Sequence, residues 1–160
     1  MSDGTCKTMT ILMADDDPDD CLLVSRAFKT SKLCNDLRFV NDGEDLMDYL
    51  YRRDKYKEPD QAPRPGLILL DLNMPRKDGR EALKEIRTDA TLREIPVVVL
   101  TTSKDEEDIL RSYNLGANSY ITKPVTFEGL VEVIKSLGKY WFEIVELPIE
   151  IKHENSGKQG

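Results

Sequence analysis

Four short apolar runs in this chain each end in a polar group, and those groups are of the types that handle phosphoryl chemistry. Ile11-Leu12-Met13-Ala14 leads into Asp15-Asp16-Asp17, and Leu67-Ile68-Leu69-Leu70 into Asp71. Val97-Val98-Val99-Leu100 leads into Thr101-Thr102, and Tyr120-Ile121-Thr122 into Lys123-Pro124. If the runs are strands of an open parallel sheet, carboxylates, a hydroxyl and an ammonium converge on the carboxyl rim, where such sheets bind ligands. Magnesium prefers oxygen ligands and needs only one or two carboxylates beside its waters. Asp16 and Asp71 are the expected direct ligands, with Asp15 acting through water and the backbone carbonyl of Asn73 completing the set. Mn²⁺ would suit the same donors. Asp71 is the candidate nucleophile, since a carboxylate can accept a phosphoryl group as an acyl phosphate. Lys123 and Thr101 would contact the phosphoryl oxygens. Each piece alone has a plainer explanation: Asp-Asp-Asp-Pro also suits a helix-capping cluster, and Lys-Pro a structural turn. Their joint occurrence, each after an expected strand, carries the chemical reading.

The elements between these groups alternate. A strand is expected over residues 9–14, followed by a helix that Asp17 caps and Pro18 opens, with Asp19 and Asp20 at the positive end of its dipole. Leu23, Ala27 and Phe28 mark its face. A second strand, 37–40, turns at Asn41-Asp42-Gly43 into a helix from about Glu44. Residues 52–66 lose periodicity and read as a long solvated loop. Helices are then expected over 80–88 and 105–115, the latter with Ile109, Leu110 and Tyr113 inward. A fifth strand covers Ser119–Thr122. A last helix from Thr126 continues through Leu130, Val133, Ile134, Leu137, Trp141 and Ile144 at three/four spacing. Strands alternating with helices specify an α/β, doubly wound parallel sheet. One domain is expected over 8–147, with a polar tail at 148–160.

The chain has 160 residues, a formal net charge of −7 and 39% hydrophobic residues. That is enough for one core, and the negative balance disfavours a DNA or anionic-membrane partner. No apolar stretch approaches a membrane span and no signal pattern opens the chain, so a cytoplasmic protein is expected. Cys6, Cys21 and Cys34 are too scattered for a zinc site and read as reduced thiols.

The acidic pair Asp15-Asp16, Asp71 with Met74-Pro75 and Asp78-Gly79 behind it, Thr101, Gly116-Ala117, Tyr120 and Lys123-Pro124 together resemble the receiver domain of two-component response regulators, over about residues 9–138. The resemblance implies a flavodoxin-like (βα)5 fold with strand order 2-1-3-4-5. It also implies phosphorylation of Asp71 by a sensor histidine kinase, and a cis peptide between Lys123 and Pro124. Such a protein is a phosphoacceptor that catalyses its own phosphorylation and slow dephosphorylation, not a conventional enzyme. In the family's switch, Thr101 bonds the phosphoryl group, Tyr120 rotates inward, and the surface of the fourth helix, fifth strand and fifth helix changes. Asn73 and Ser103 are placed to influence acyl-phosphate lifetime.

The long loop before Pro65, the Asp17-Pro18-Asp19-Asp20 helix start and the ending Tyr140-Trp141-Phe142 look similar to small single-domain regulators that pair with cyanobacterial phytochromes. That resemblance implies a phytochrome kinase, an unidentified downstream protein partner, no DNA-binding output domain, and a homodimer with Tyr120, Trp141 and Phe142 as candidate contacts. Packing of Trp141 and Phe142 on the domain's own sheet is the alternative. Two other functions stay open: a receiver-like interaction module working without phosphorylation, and a Mg²⁺-dependent phosphohydrolase. The second lacks the Asp-x-Asp such enzymes carry, because Leu72-Asn73 follows Asp71.

Overall fold

Period-two burial organises the molecule. In this computed structural model, which describes residues 9–33, 35–102 and 105–140, five strands form one sheet: β1 (Thr10–Ala14), β2 (Asp36–Val40), β3 (Leu67–Leu70), β4 (Val97–Thr101) and β5 (Ser119–Thr122). All pairings are parallel and the order is β2-β1-β3-β4-β5, as the resemblance implied. Leu12, Ala14, Ile68, Leu70, Val97 and Val99 face one core, shared with Leu46, Met47, Ala82, Leu83 and Ile86. Their neighbours Ile11, Met13, Leu67, Leu69, Val98 and Leu100 face a second core with Val24, Ala27, Phe28, Leu130, Val131 and Ile134. The three central strands are buried on both faces, hence their unbroken apolar runs.

The helices are α1 (Pro18–Thr30), α2 (Gly43–Tyr51), α3 (Gly79–Thr88), α4 (Glu106–Asn114) and α5 (Phe127–Leu137). Each starts on a side-chain cap: Asp17, Asp42, Asp78, Asp105 and Thr126 accept backbone N–H groups of the first turn,. The α3 cap is a reciprocal capping box between Asp78 and Glu81,. These caps fix where every strand-to-helix turn ends, and so fix the rim of the sheet.

Several expectations are corrected. In α1 the buried residues are Val24, Ala27 and Phe28, while Leu23 lies at the exposed rim. In α4, Leu110 and Tyr113 point outward, at 64% and 48% exposure, and Ser112 is buried instead. The nine-residue helix carries apolar side chains on two sides, and its seat beside β5 selects the side with Ser112 and partly buried Ile109. Tyr113 nevertheless has a task at the sheet edge, where its hydroxyl accepts the Tyr120 backbone N–H at 3.2 Å. The 52–66 connection is packed rather than merely solvated. It holds two single 3-10 turns, Asp54–Tyr56 and Pro59–Gln61, and Ala62 is buried. The Tyr49 hydroxyl and Arg52 guanidinium donate to the carbonyls of Pro63 and Ala62, and the Tyr56 hydroxyl donates to Asp45. The α5 residues Leu130, Val131, Ile134 and Leu137 are buried, whereas Val133 is only partly so. The expected continuation through Trp141, Phe142 and Ile144 lies outside the described residues, as do Cys6, Cys34 and Ser103.

Arg87, near the end of α3, ties the far end of the sheet together. Its guanidinium donates to the carbonyls of Gly116, Arg93 and Ile95 and to Asn118 Oδ1, at 2.7–2.8 Å. Gly116, at φ 107°, occupies the left-handed region, and a β-carbon there would meet the Arg87 side chain at 2.6 Å,. Asn118 Oδ1 also accepts the Val97 N–H, so one side chain links the starts of β4 and β5. Arg87→Met should therefore lower unfolding stability by about 2 kcal/mol or more, because the carbonyls it serves lose their donor. Urea denaturation checks this, and a loss below about 0.5 kcal/mol, the range of ordinary surface substitutions, would contradict it.

Candidate acidic site at the carboxyl rim

The ends of β1, β3, β4 and β5 bring Asp15, Asp71, Thr101 and Lys123 together. Asp15 is 1% exposed, and both its oxygens are engaged: Oδ1 accepts the Asp17 N–H at 2.9 Å and Oδ2 accepts Lys123 Nζ at 2.7 Å. Asp71 Oδ1 accepts the Thr101 hydroxyl at 2.8 Å and the Asn73 N–H at 3.3 Å. Asp71 Oδ2 faces Lys123 Nζ at 3.4 Å. Asp16 is exposed at the mouth, and oxygens of Asp15, Asp16 and Asp71 all lie within 4.8 Å of one another. Three hard oxygen donors this close fit a divalent cation such as Mg²⁺ or Mn²⁺. Asp15, already bonded at both oxygens, is the least available of the three for direct ligation.

The turn after β3 is shaped around Asp71. Gly79 packs so closely on the Asp71 carbonyl and Leu72 backbone that any β-carbon would overlap them. Arg76, in the left-handed region at φ 65°, pairs with the buried Asp42 carboxylate, which also caps α2. Lys77 pairs with Glu85 at 2.5 Å. The segment carrying Asn73 is thus fastened to α2 and α3.

Two expectations change here. The Lys123–Pro124 bond is trans, not cis. The Lys123 N–H donates to the Thr101 carbonyl at 2.7 Å, and its ammonium reaches the carboxylates from this trans backbone. Asp20, assigned only a helix-dipole role from sequence, is a direct partner of Lys123 at 2.6 Å. The two residues stand 103 positions apart, so no local pattern in the sequence signalled the pairing. Tyr120 lies half-buried on β5 opposite Val99 and packs against the core beneath α2 and α3.

Burial and neighbouring charges together set the electrostatics. Burial raises the Asp15 carboxyl above its usual range, against the lowering effects of Lys123 and the Asp17 amide, with the Asp71 charge adding to the rise,. Burial by itself would lower the Lys123 ammonium, but its bonds to Asp15 and Asp20 and the Asp71 charge outweigh that and raise it. The Cys21 thiol is pushed up to about 11 by burial and then by the charges of Asp15 and Asp20, so it stays protonated and inert at neutral pH,.

A 2-1-3-4-5 parallel sheet with an acidic pair, a strand-end aspartate, a hydroxyl and a lysine on its carboxyl rim defines a receiver domain. The chain belongs to that family: the response regulator receiver domain model matches residues 11–135. It is similar to response regulator Rcp1 of Synechocystis sp., with 42% identity over 148 residues, 92% of this chain and 99% of that protein. Among solved structures, it is similar to a phosphorylated cyanobacterial phytochrome response regulator, RcpA, at TM-score 0.79 and 41% identity, covering 86% of this chain and 96% of that one. The Mn²⁺-bound form of Rcp1 matches at TM-score 0.76 and 41% identity, covering 84% and 95%. No helix among the described residues is long and apolar enough to cross a membrane.

The raised Asp15 carboxyl has a consequence for stability. A group that binds its proton more tightly when folded makes stability fall as pH rises from its ordinary value, 3.8, through its folded value,. Asp15→Asn removes that titration. In metal-free protein at pH 7 the variant should be at least as stable as wild type by chemical denaturation. Wild type should gain relative to it towards pH 4, and also on adding Mg²⁺. A variant clearly less stable at pH 7 without metal would contradict this reading.

Proposed function

We propose that this chain is a two-component response regulator that accepts a phosphoryl group on Asp71 from a sensor histidine kinase. The observation that carries the reading is the convergence on Asp71 of the Thr101 hydroxyl, the Lys123 ammonium and the Asp15–Asp16 carboxylates. An Asp71 oxygen forms the new P–O bond as the P–N bond to the kinase histidine breaks. The leaving imidazole nitrogen keeps the electron pair. Lys123 and Thr101 stand beside the two Asp71 oxygens, where each needs only a short shift to donate to phosphoryl oxygens. Asp16, Asp71 and the Asn73 carbonyl, with Asp15 through water, would hold Mg²⁺, which supplies neutralising charge for the phosphoryl oxygens. With acidic pair, aspartate, hydroxyl and lysine all present, the chain keeps the groups that a non-phosphorylated interaction module could dispense with.

Similarity to the phytochrome response regulator RcpA supports a phytochrome as the kinase, giving a role in light-regulated signalling within the cytoplasm. The output is an exchange between two packings of Thr101 and Tyr120 that alters the surface of α4, β5 and α5. Leu110, Tyr113 and Tyr140 are exposed there and suit a protein partner or a second copy of the chain,. Trp141 and Phe142 would extend that contact.

Intact-mass spectrometry after incubation with acetyl phosphate tests the acceptor role. Wild type should gain one Mg²⁺-dependent phosphoryl adduct, Asp71→Asn none, and Lys123→Ala an adduct formed at least tenfold more slowly, about the worth of one strong charged contact. An adduct of undiminished yield on Asp71→Asn would overturn the assignment.

A further inference from the structure

Asp20 takes no part in the chemistry assigned above, yet its Oδ2 lies 2.6 Å from Lys123 Nζ. That is nearer than Asp15 at 2.7 Å or Asp71 at 3.4 Å. It is carried in the first turn of α1, whose cap residue Asp17 is bonded through its N–H to Asp15. The carboxylate therefore stands on an element anchored to the site rather than on a loose loop. We propose that Asp20 is a positioning residue that retains the Lys123 ammonium at the α1 edge and so opposes its transfer to a phosphoryl group on Asp71. The proposal rests on the acceptor reading above.

Two effects act in the same direction. Lys123 Nζ is 2.6 Å from Asp20 but 3.4 Å from Asp71, and its shift onto a phosphoryl group carried by Asp71 would lengthen the Asp20 contact. A phosphoryl group also brings about −1.5 to −2 of charge close to the Asp20 carboxylate. Divalent cation binding does not relieve this. The close acidic cluster comprises Asp15, Asp16 and Asp71, and Asp20 stands outside it. A cation held by Asp16 and Asp71, with Asp15 through water, would leave the Lys123–Asp20 contact in place. Asp20 thus sets how readily the site charges and how long the acyl phosphate keeps its lysine contact.

The test uses the whole chain with acetyl phosphate and saturating Mg²⁺, following adduct formation by intact mass. Asp20→Asn should form the adduct about threefold faster than wild type, the size expected of one partly exposed charge pair. Asp20→Ser should behave alike, and circular dichroism checks that both are folded. Asp19→Asn makes the same charge change on the same turn, at an exposed residue with no contact to Lys123, and should leave the rate near wild type. In a Lys123→Met background, Asp20→Asn should give no acceleration, because the effect acts through the lysine. An unchanged or slower rate in Asp20→Asn overturns the proposal. So does equal acceleration in Asp19→Asn, or acceleration that survives Lys123→Met, since either marks a general field effect. Absence of any adduct on wild type, from acetyl phosphate or phosphoramidate, contradicts the acceptor reading itself and removes the proposal with it.

Discussion

One ammonium among several carboxylates is the interaction on which the rim depends. Asp15, Asp16, Asp20 and Asp71 gather where β1 and β3 end and α1 starts, and Lys123 is the cation that bonds three of them. Without it, a nearly inaccessible Asp15 would be left as a buried charge with no counterion, among the more destabilising arrangements a protein can hold. With it, the site remains short of positive charge. A hard divalent cation or a rearranged lysine is the natural response. The same imbalance therefore explains both the fit for metal and the sensitivity of the lysine to what occupies Asp71.

The scaffold meets this imbalance with fixed backbone. Parallel strands buried on both faces set the strand ends in register, and side-chain caps start each following helix,. The turn after Asp71 is fastened by Gly79 against the Asp71 carbonyl and by Arg76 on Asp42. Arg87 does comparable work at the opposite end of the sheet, holding the entry to β5. Such fastening keeps Asp71 and its neighbours in place while leaving Lys123, just after β5, and Thr101, at the end of β4, the freedom of side chains. Preorganisation of that kind suits phosphoryl transfer, where positioning and charge do most of the catalysis.

Much of this was legible in the residues. Strong apolar runs bounded by Asp, Thr or Lys located the strands to within about a residue, and the strand-end rule put Asp15, Asp71, Thr101 and Lys123 on one rim. What escaped depends on distance or on balance. Asp20 and Lys123 are 103 residues apart, and no local pattern couples them. The facing of α4 could not be read because Leu110 and Tyr113 lie on one side of a short helix and Ser112 on another, and only the seat against β5 decides. The cis bond before Pro124 was inferred from resemblance alone, and Lys123 reaches its partners without it. The packed state of the 52–66 loop rests on tyrosine and arginine bonds to backbone carbonyls, which composition does not reveal.

A crystal structure of the chain with Mg²⁺ and beryllofluoride, a mimic of the phosphoryl group on an aspartate, tests the central claim most directly. The predicted result is beryllofluoride on Asp71, with Lys123 Nζ and Thr101 Oγ1 each donating to a fluoride, the cation held by Asp16 and Asp71, and the Lys123–Asp20 contact lengthened. Beryllofluoride absent from Asp71, with Lys123 still held by Asp15 and Asp20, would contradict it.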